Sequence, residues 1–142
     1  MAKKVLIVED YEDTREFMKI LLESYGYKVI EAADGIEAID RVKQYHPDLI
    51  LMDMSMPKMD GLEATLMIRK SLGHQPVIIA LTANTMKGDR EECLLAGMND
   101  YISKPVKMDE LIDKLQQWHS FLQHTGKKVS STAEFSDVAL RP

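Results

Sequence analysis

Between Asp48 and Gly61 the chain reads DLILMDMSMPKMDG. Residues 48–53 form a short apolar run bounded upstream by His46-Pro47, which predicts a buried strand ending in the carboxylate of Asp53. Residues 54–61 carry proline and Asp-Gly turn signals and predict a structured loop. In open parallel α/β sheets, groups at the carboxyl ends of strands face the working crevice, so Asp53 is a candidate site residue if the flanking sequence supplies such a sheet.

Outward from this stretch, apolar runs alternate with helical patterns. Upstream, Lys4 to Val8 (KVLIV) predicts a strand covered on both faces and ending at Glu9-Asp10. A helix follows over residues 14–25, capped by Asp13 or Thr14, with Phe17, Ile20, Leu21 and Ser24 on its inner face and Gly26 as its stop. Residues 28–32 (KVIEA) suit a sheet edge, and Asp34 caps a helix to about Gln44 with Ile36, Ala38, Ile39 and Val42 inward.

Downstream, a helix is expected over residues 62–72, and a strand over residues 77–81 (VIIAL) with Thr82 at its end. Asp89 opens a helix that stops at Ala96-Gly97, and Tyr101-Ile102-Ser103 forms a short edge strand before Lys104-Pro105. The last helix, from Met108 to about Phe121, sets Leu111, Leu115, Trp118 and Leu122 on one stripe. Five βα units in succession predict an α/β fold, a doubly wound parallel sheet. Residues 1–124 are read as one domain, and residues 125–142, small, polar and basic, as a flexible tail.

Bulk properties narrow the function. A formal charge of −5 argues against a nucleic-acid surface, which needs clustered Lys and Arg. No stretch is long and apolar enough to span a membrane, and the apolar run near the start is too short for a signal peptide. With Cys93 as its single cysteine the chain has no internal disulfide, which fits a reducing, cytoplasmic setting. Cys93 is read as a packing thiol, and His46, His74, His119 and His124 as surface residues.

Four strands end in polar or charged residues: Glu9-Asp10, Asp53, Thr82 and Lys104. Three carboxylates in one crevice repel one another unless a cation sits among them. A hard divalent ion, Mg²⁺ or Mn²⁺, fits, with Asp10 and Asp53 as direct ligands, Glu9 acting through water and the backbone carbonyl of Ser55 as a further ligand. Asp53 is then free to attack phosphorus as a carboxylate nucleophile. Lys104 supplies a second positive charge and the Thr82 hydroxyl a hydrogen bond, which is what phosphoryl transfer needs.

Glu9-Asp10, Asp53 in LILMDMSMPKMDG, Thr82 in ALTAN, and Lys104-Pro105 after Tyr101 together resemble the receiver domain of response regulators (CheY-like), over about residues 3–122. The resemblance implies the flavodoxin-like strand order 2-1-3-4-5 and a cis bond at Lys104-Pro105. It implies a histidine kinase or histidine phosphotransfer protein as phosphodonor, and Asp53 as acceptor. It also implies a switch in which Thr82 moves toward the phosphate and Tyr101 turns inward. That switch reshapes the surface of the fourth helix, fifth strand and fifth helix for an output protein or a phosphorylation-dependent homodimer.

Glu9 stands where the family often has aspartate, and Ser55 and Asn84 occupy positions that tune phosphate lifetime. The run LTANTMKGDREECLLAGMNDYISKP is similar to receivers of hybrid sensor kinases and points to a phosphorelay. An aspartate-dependent phosphatase is the alternative of another class, but it resembles D-x-D, and the second acid is Ser55 here. A scaffold that never takes phosphate is disfavoured by the intact Asp53, Thr82 and Lys104 set.

Overall fold

The side chains of successive strand residues point to opposite faces, and here both faces are apolar. The computed structural model describes residues 3–56, 58–71, 75–83 and 87–125. Five strands, β1 (Lys4–Val8), β2 (Lys28–Ala32), β3 (Leu49–Asp53), β4 (Val77–Thr82) and β5 (Asp100–Ser103), pair in parallel in the order β2-β1-β3-β4-β5. They alternate with α1 (Glu12–Ser24), α2 (Gly35–Tyr45), α3 (Gly61–Lys70), α4 (Lys87–Ala96) and α5 (Met108–Thr125). The predicted fold class and strand order hold.

Val5, Ile7, Leu49, Leu51, Val77 and Ile79 form one core with Met18 and Leu22 of α1 and Leu111, Leu115 and Trp118 of α5. Leu6, Val8, Ile50, Met52, Ile78 and Ala80 form the other with Ala38 and Val42 of α2, Ala64 and Ile68 of α3 and Cys93 of α4. Right-handed crossovers require this division, because the strand order reverses direction at the β1/β3 junction. The reversal parts the flanking helices and leaves a crevice above β1 and β3.

Several local expectations are corrected. Helix α1 starts at Glu12 behind an N-cap at Tyr11, and its buried residues are Met18 and Leu22, while Phe17, Ile20 and Ser24 lie outward. Five apolar residues crowd this helix between Phe17 and Leu22, and periodicity cannot say which edge of so broad an arc meets the sheet. Ile36 of α2 is likewise exposed, and Gly35, Ala38 and Val42 are buried. Helix α3 ends at Lys70, helix α4 begins at Lys87 rather than Asp89, and α5 continues past Phe121 to Thr125.

The Asp34 cap is as expected, its side chain accepting from the Glu37 N–H, while Asp60, expected only to shape the loop, caps α3 by accepting from the Glu63 N–H. Cys93 is buried, in keeping with a packing role. His119 departs from its expected surface position: it is half-buried on α5, edge-on to Tyr27 with ring centroids 6.1 Å apart, and burial lowers its pKa. Thr125, expected to open the tail, is the last residue of α5, and the rest of the expected tail and the positions of His74 and Asn84 lie outside the described residues.

Candidate functional site

Strand register brings the chain-distant candidates together. Asp53 is level with Leu81 in β4, so Thr82 is one residue beyond it, and Thr82 is level with Ser103. The Lys104 N–H donates to the Thr82 carbonyl at 2.8 Å, which continues the β4–β5 ladder by one residue. On the other side, Val8 is level with Met52, so Glu9 and Asp10 emerge beside Asp53. The Lys104–Pro105 peptide bond is cis, as the resemblance implies.

Asp53 is 1% exposed. Its Oδ1 accepts from Lys104 Nζ at 2.6 Å and from the Ser55 N–H at 3.0 Å. Carboxylate oxygens of Glu9, Asp10 and Asp53 all lie within 4.8 Å of one another, with Glu9 and Asp53 buried and Asp10 exposed. Burial, followed by a hydrogen bond with Asp53 and the repulsion of its charge, lifts the Glu9 carboxyl from 4.5 to about 7, against the pull of the Tyr11 N–H and Lys104. The Tyr11 N–H donates to Glu9 Oε2 at 3.2 Å.

This donor set fits a hard divalent cation: three carboxylates supply oxygen ligands, and the burial that chiefly pushes up the Glu9 carboxyl penalises uncompensated negative charge there. Ser55 lines the same cleft. The cleft has a volume of about 510 Å³ and runs from Asp53 and Lys104 out to Phe17, Leu21, Val106 and Met108.

Tyr101 is level with Ala80 in β4 and half-buried against the α2–α4 side of the sheet. Arg90 Nη1 donates to its hydroxyl at 3.1 Å, the Arg90 guanidinium lies 5.7 Å from its ring centroid, and Lys114 Nζ lies 5.9 Å from it. Lys114 also pairs with both oxygens of Asp100, which accepts from Trp118 Nε1 as well. The sequence reading missed this set, although Lys114 and Trp118 stand four apart on α5 and so share a face.

Gly61 was also missed as a site residue: a Cβ there would stand 2.5 Å from the Asp53 carbonyl oxygen. Only glycine lets α3 begin this close under the end of β3. Arg69 is a third omission. It donates to the carbonyls of Gly97 and Pro76 and to Asn99 Oδ1, at 2.8, 2.7 and 2.8 Å, and burial pulls its pKa down to about 10. With Asn99 Oδ1 also accepting from the Ile78 N–H, it ties the ends of α3 and α4 to the start of β4.

The family model described as response regulator receiver domain matches residues 5–116. The chain is 42% identical over 120 residues to the polar-differentiation response regulator DivK of Brucella ovis, covering 83% of this chain and 97% of that protein. Among solved structures it is similar to the receiver domain of the sensor histidine kinase PA1611 of Pseudomonas aeruginosa PAO1. That structure has a magnesium ion coordinated in its active-site cleft, a TM-score of 0.76 and 44% identity, over 83% of this chain and 98% of that one. It is also similar to the Saccharomyces cerevisiae co-crystal of the histidine phosphotransfer protein Ypd1 with the receiver domain of Ssk1, with a TM-score of 0.78 and 32% identity over 86% of this chain and 91% of that one. The chain belongs to the response regulator receiver domain family.

Proposed function

We propose that Asp53 accepts one phosphoryl group from a phosphohistidine, and that the resulting acyl phosphate switches the surface of α4, β5 and α5. The observation that carries this reading is the placement of a buried carboxylate with Lys104 Nζ 2.6 Å away and two further acids within 4.8 Å. An Asp53 oxygen forms the bond to phosphorus as the phosphorus–nitrogen bond of the donor breaks and the imidazole leaves. Lys104 neutralises charge gathering on the phosphoryl oxygens, and Thr82 donates its hydroxyl to one of them.

Glu9, Asp10, Asp53 and the Ser55 carbonyl would hold Mg²⁺ or Mn²⁺, which supplies charge neutralisation and a template for the phosphoryl oxygens. Ser55 offers no carboxyl to protonate a leaving group or activate water, so the acyl phosphate outlasts a catalytic cycle and the domain signals rather than turns over substrate.

The donor is a histidine kinase or a histidine phosphotransfer protein, consistent with the Ypd1–Ssk1 likeness. Its docking has to span the cleft mouth, where Phe17 stands 52% exposed beside the route to Asp53. Such a partner and the lone buried Cys93 both favour a cytoplasmic setting. The output partner, or a second phosphorylated copy, meets the α4–β5–α5 face, where Arg90 of α4 and Lys114 of α5 come together at Tyr101 of β5.

Incubating the protein with phosphoramidate and Mg²⁺ tests this reading. One phosphoryl group per chain by intact mass, lost when the metal is chelated, supports it; rapid multiple turnover of a phosphoester supports the phosphatase instead.

A further inference from the structure

Arg15 of α1 lines a surface depression with Lys19 and Glu31, apart from the cleft that holds Asp53. Its contacts nevertheless lead to the acid pair. Arg15 Nη1 donates to the Glu9 carbonyl oxygen at 2.8 Å, and Nε to Glu31 Oε1 at 3.2 Å. Glu31 Oε2 lies 3.4 Å from Lys19 Nζ, so the carboxylate that orients Arg15 is held by a second cation from the same helix.

The Glu9 carbonyl belongs to the peptide unit that joins Glu9 to Asp10. Fixing that planar unit fixes the positions of both Cα atoms, from which the two acidic side chains depart. On its other side, the Glu9 N–H donates to the Ala32 carbonyl of β2 at 3.1 Å. The acid pair is therefore tied to the edge strand twice, once directly and once through Arg15 and Glu31. A guanidinium suits this task because its donors point in different directions within one plane, and bonds from a charged donor are the stronger kind.

We infer that Arg15 is a positioning residue for the divalent-metal site, acting through the Glu9–Asp10 peptide unit with Glu31 setting its orientation. The inference rests on the reading of Glu9, Asp10 and Asp53 as the metal's ligands. Groups that orient metal ligands without touching the metal influence affinity by about tenfold or more when removed. A residue that merely tied α1 to β2 would affect the stability of the metal-free fold and leave metal affinity alone.

The test is a calorimetric titration with Mg²⁺, without phosphodonor, of the wild type, Arg15→Met, Arg15→Lys and Glu31→Gln, paired with thermal melts of the metal-free proteins. Arg15→Met is expected to weaken Mg²⁺ binding about tenfold, Arg15→Lys to recover part of that loss, and Glu31→Gln to show a smaller loss. Phosphorylation by phosphoramidate should then need more Mg²⁺ for half its maximal rate while keeping that maximum. If the wild type binds no Mg²⁺, the metal reading itself fails. If the wild type binds and the folded variants bind equally well, or melt lower with unchanged affinity, the positioning role is overturned. Should Arg15→Met not fold, Glu31→Gln decides: weakened binding supports the role and unchanged binding overturns it.

Discussion

Lys104 Nζ lies 2.6 Å from Oδ1 of Asp53, a contact that joins the end of β5 to the end of β3 across β4. The lysine balances a carboxylate that is almost fully buried, and it is in place before any phosphate arrives. Lys104→Met is expected to slow phosphorylation by a small phosphodonor about a hundredfold, the scale of losing one preorganised charge at a reacting oxygen. Stopped-flow measurement at saturating Mg²⁺ checks this, and a rate close to the wild type would detach Lys104 from the reaction.

Gly61→Ala is expected to lower stability by about 1–3 kcal/mol, the usual cost of overpacking. The added Cβ would stand 2.5 Å from the Asp53 carbonyl oxygen, and backbone rather than a pliant side chain must yield. Urea denaturation measures the loss. A slower phosphorylation rate should accompany it, because the end of β3 moves with the carbonyl.

Glu9 links the site to pH. Its carboxyl has a folded pKa of about 7 against an ordinary 4.5. Between those values the native metal-free protein binds a proton that the unfolded chain has released. Its stability therefore falls as pH rises through that window and levels off above it. Mg²⁺ has to displace the same proton, so apparent metal affinity should rise with pH up to about 7. Glu9→Gln should flatten both profiles, which denaturation and Mg²⁺ titration across the window would show.

The two cations about Tyr101 hold its half-buried ring in the position found here, one of them also bonded to its hydroxyl. Contacts of this kind at partly exposed sites are worth roughly 0.5–1 kcal/mol. Arg90→Ala should therefore shift the unphosphorylated ensemble toward the inward ring by a few-fold. Fluorotyrosine NMR of Tyr101 reads that population directly, and an unchanged spectrum would remove Arg90 from the proposed switch.

The sheet was legible because strands covered on both faces must be apolar throughout, and KVLIV, LILM and VIIAL can be little else. The candidate site was legible because its acids and Thr82 sit where those strands end, and Lys104 directly follows β5. Helix faces were less so: Phe17 and Ile20 look as buried as Met18 and Leu22 until the sheet is there to choose. Gly61 and Arg69 escaped notice for another reason. Their roles lie in what they approach, a carbonyl of β3 and the end of α4, and such distances leave no periodic trace in the chain.

The most direct test of the account is to locate the phosphoryl group. Wild type and Asp53→Asn would be incubated with phosphoramidate and Mg²⁺, reduced with borohydride, which cleaves an acyl phosphate to an alcohol, and mapped by peptide mass spectrometry. The account predicts a single reduced site at Asp53 in the wild type and none in Asp53→Asn. Equal labelling of both proteins, or label at any other carboxylate, would contradict it.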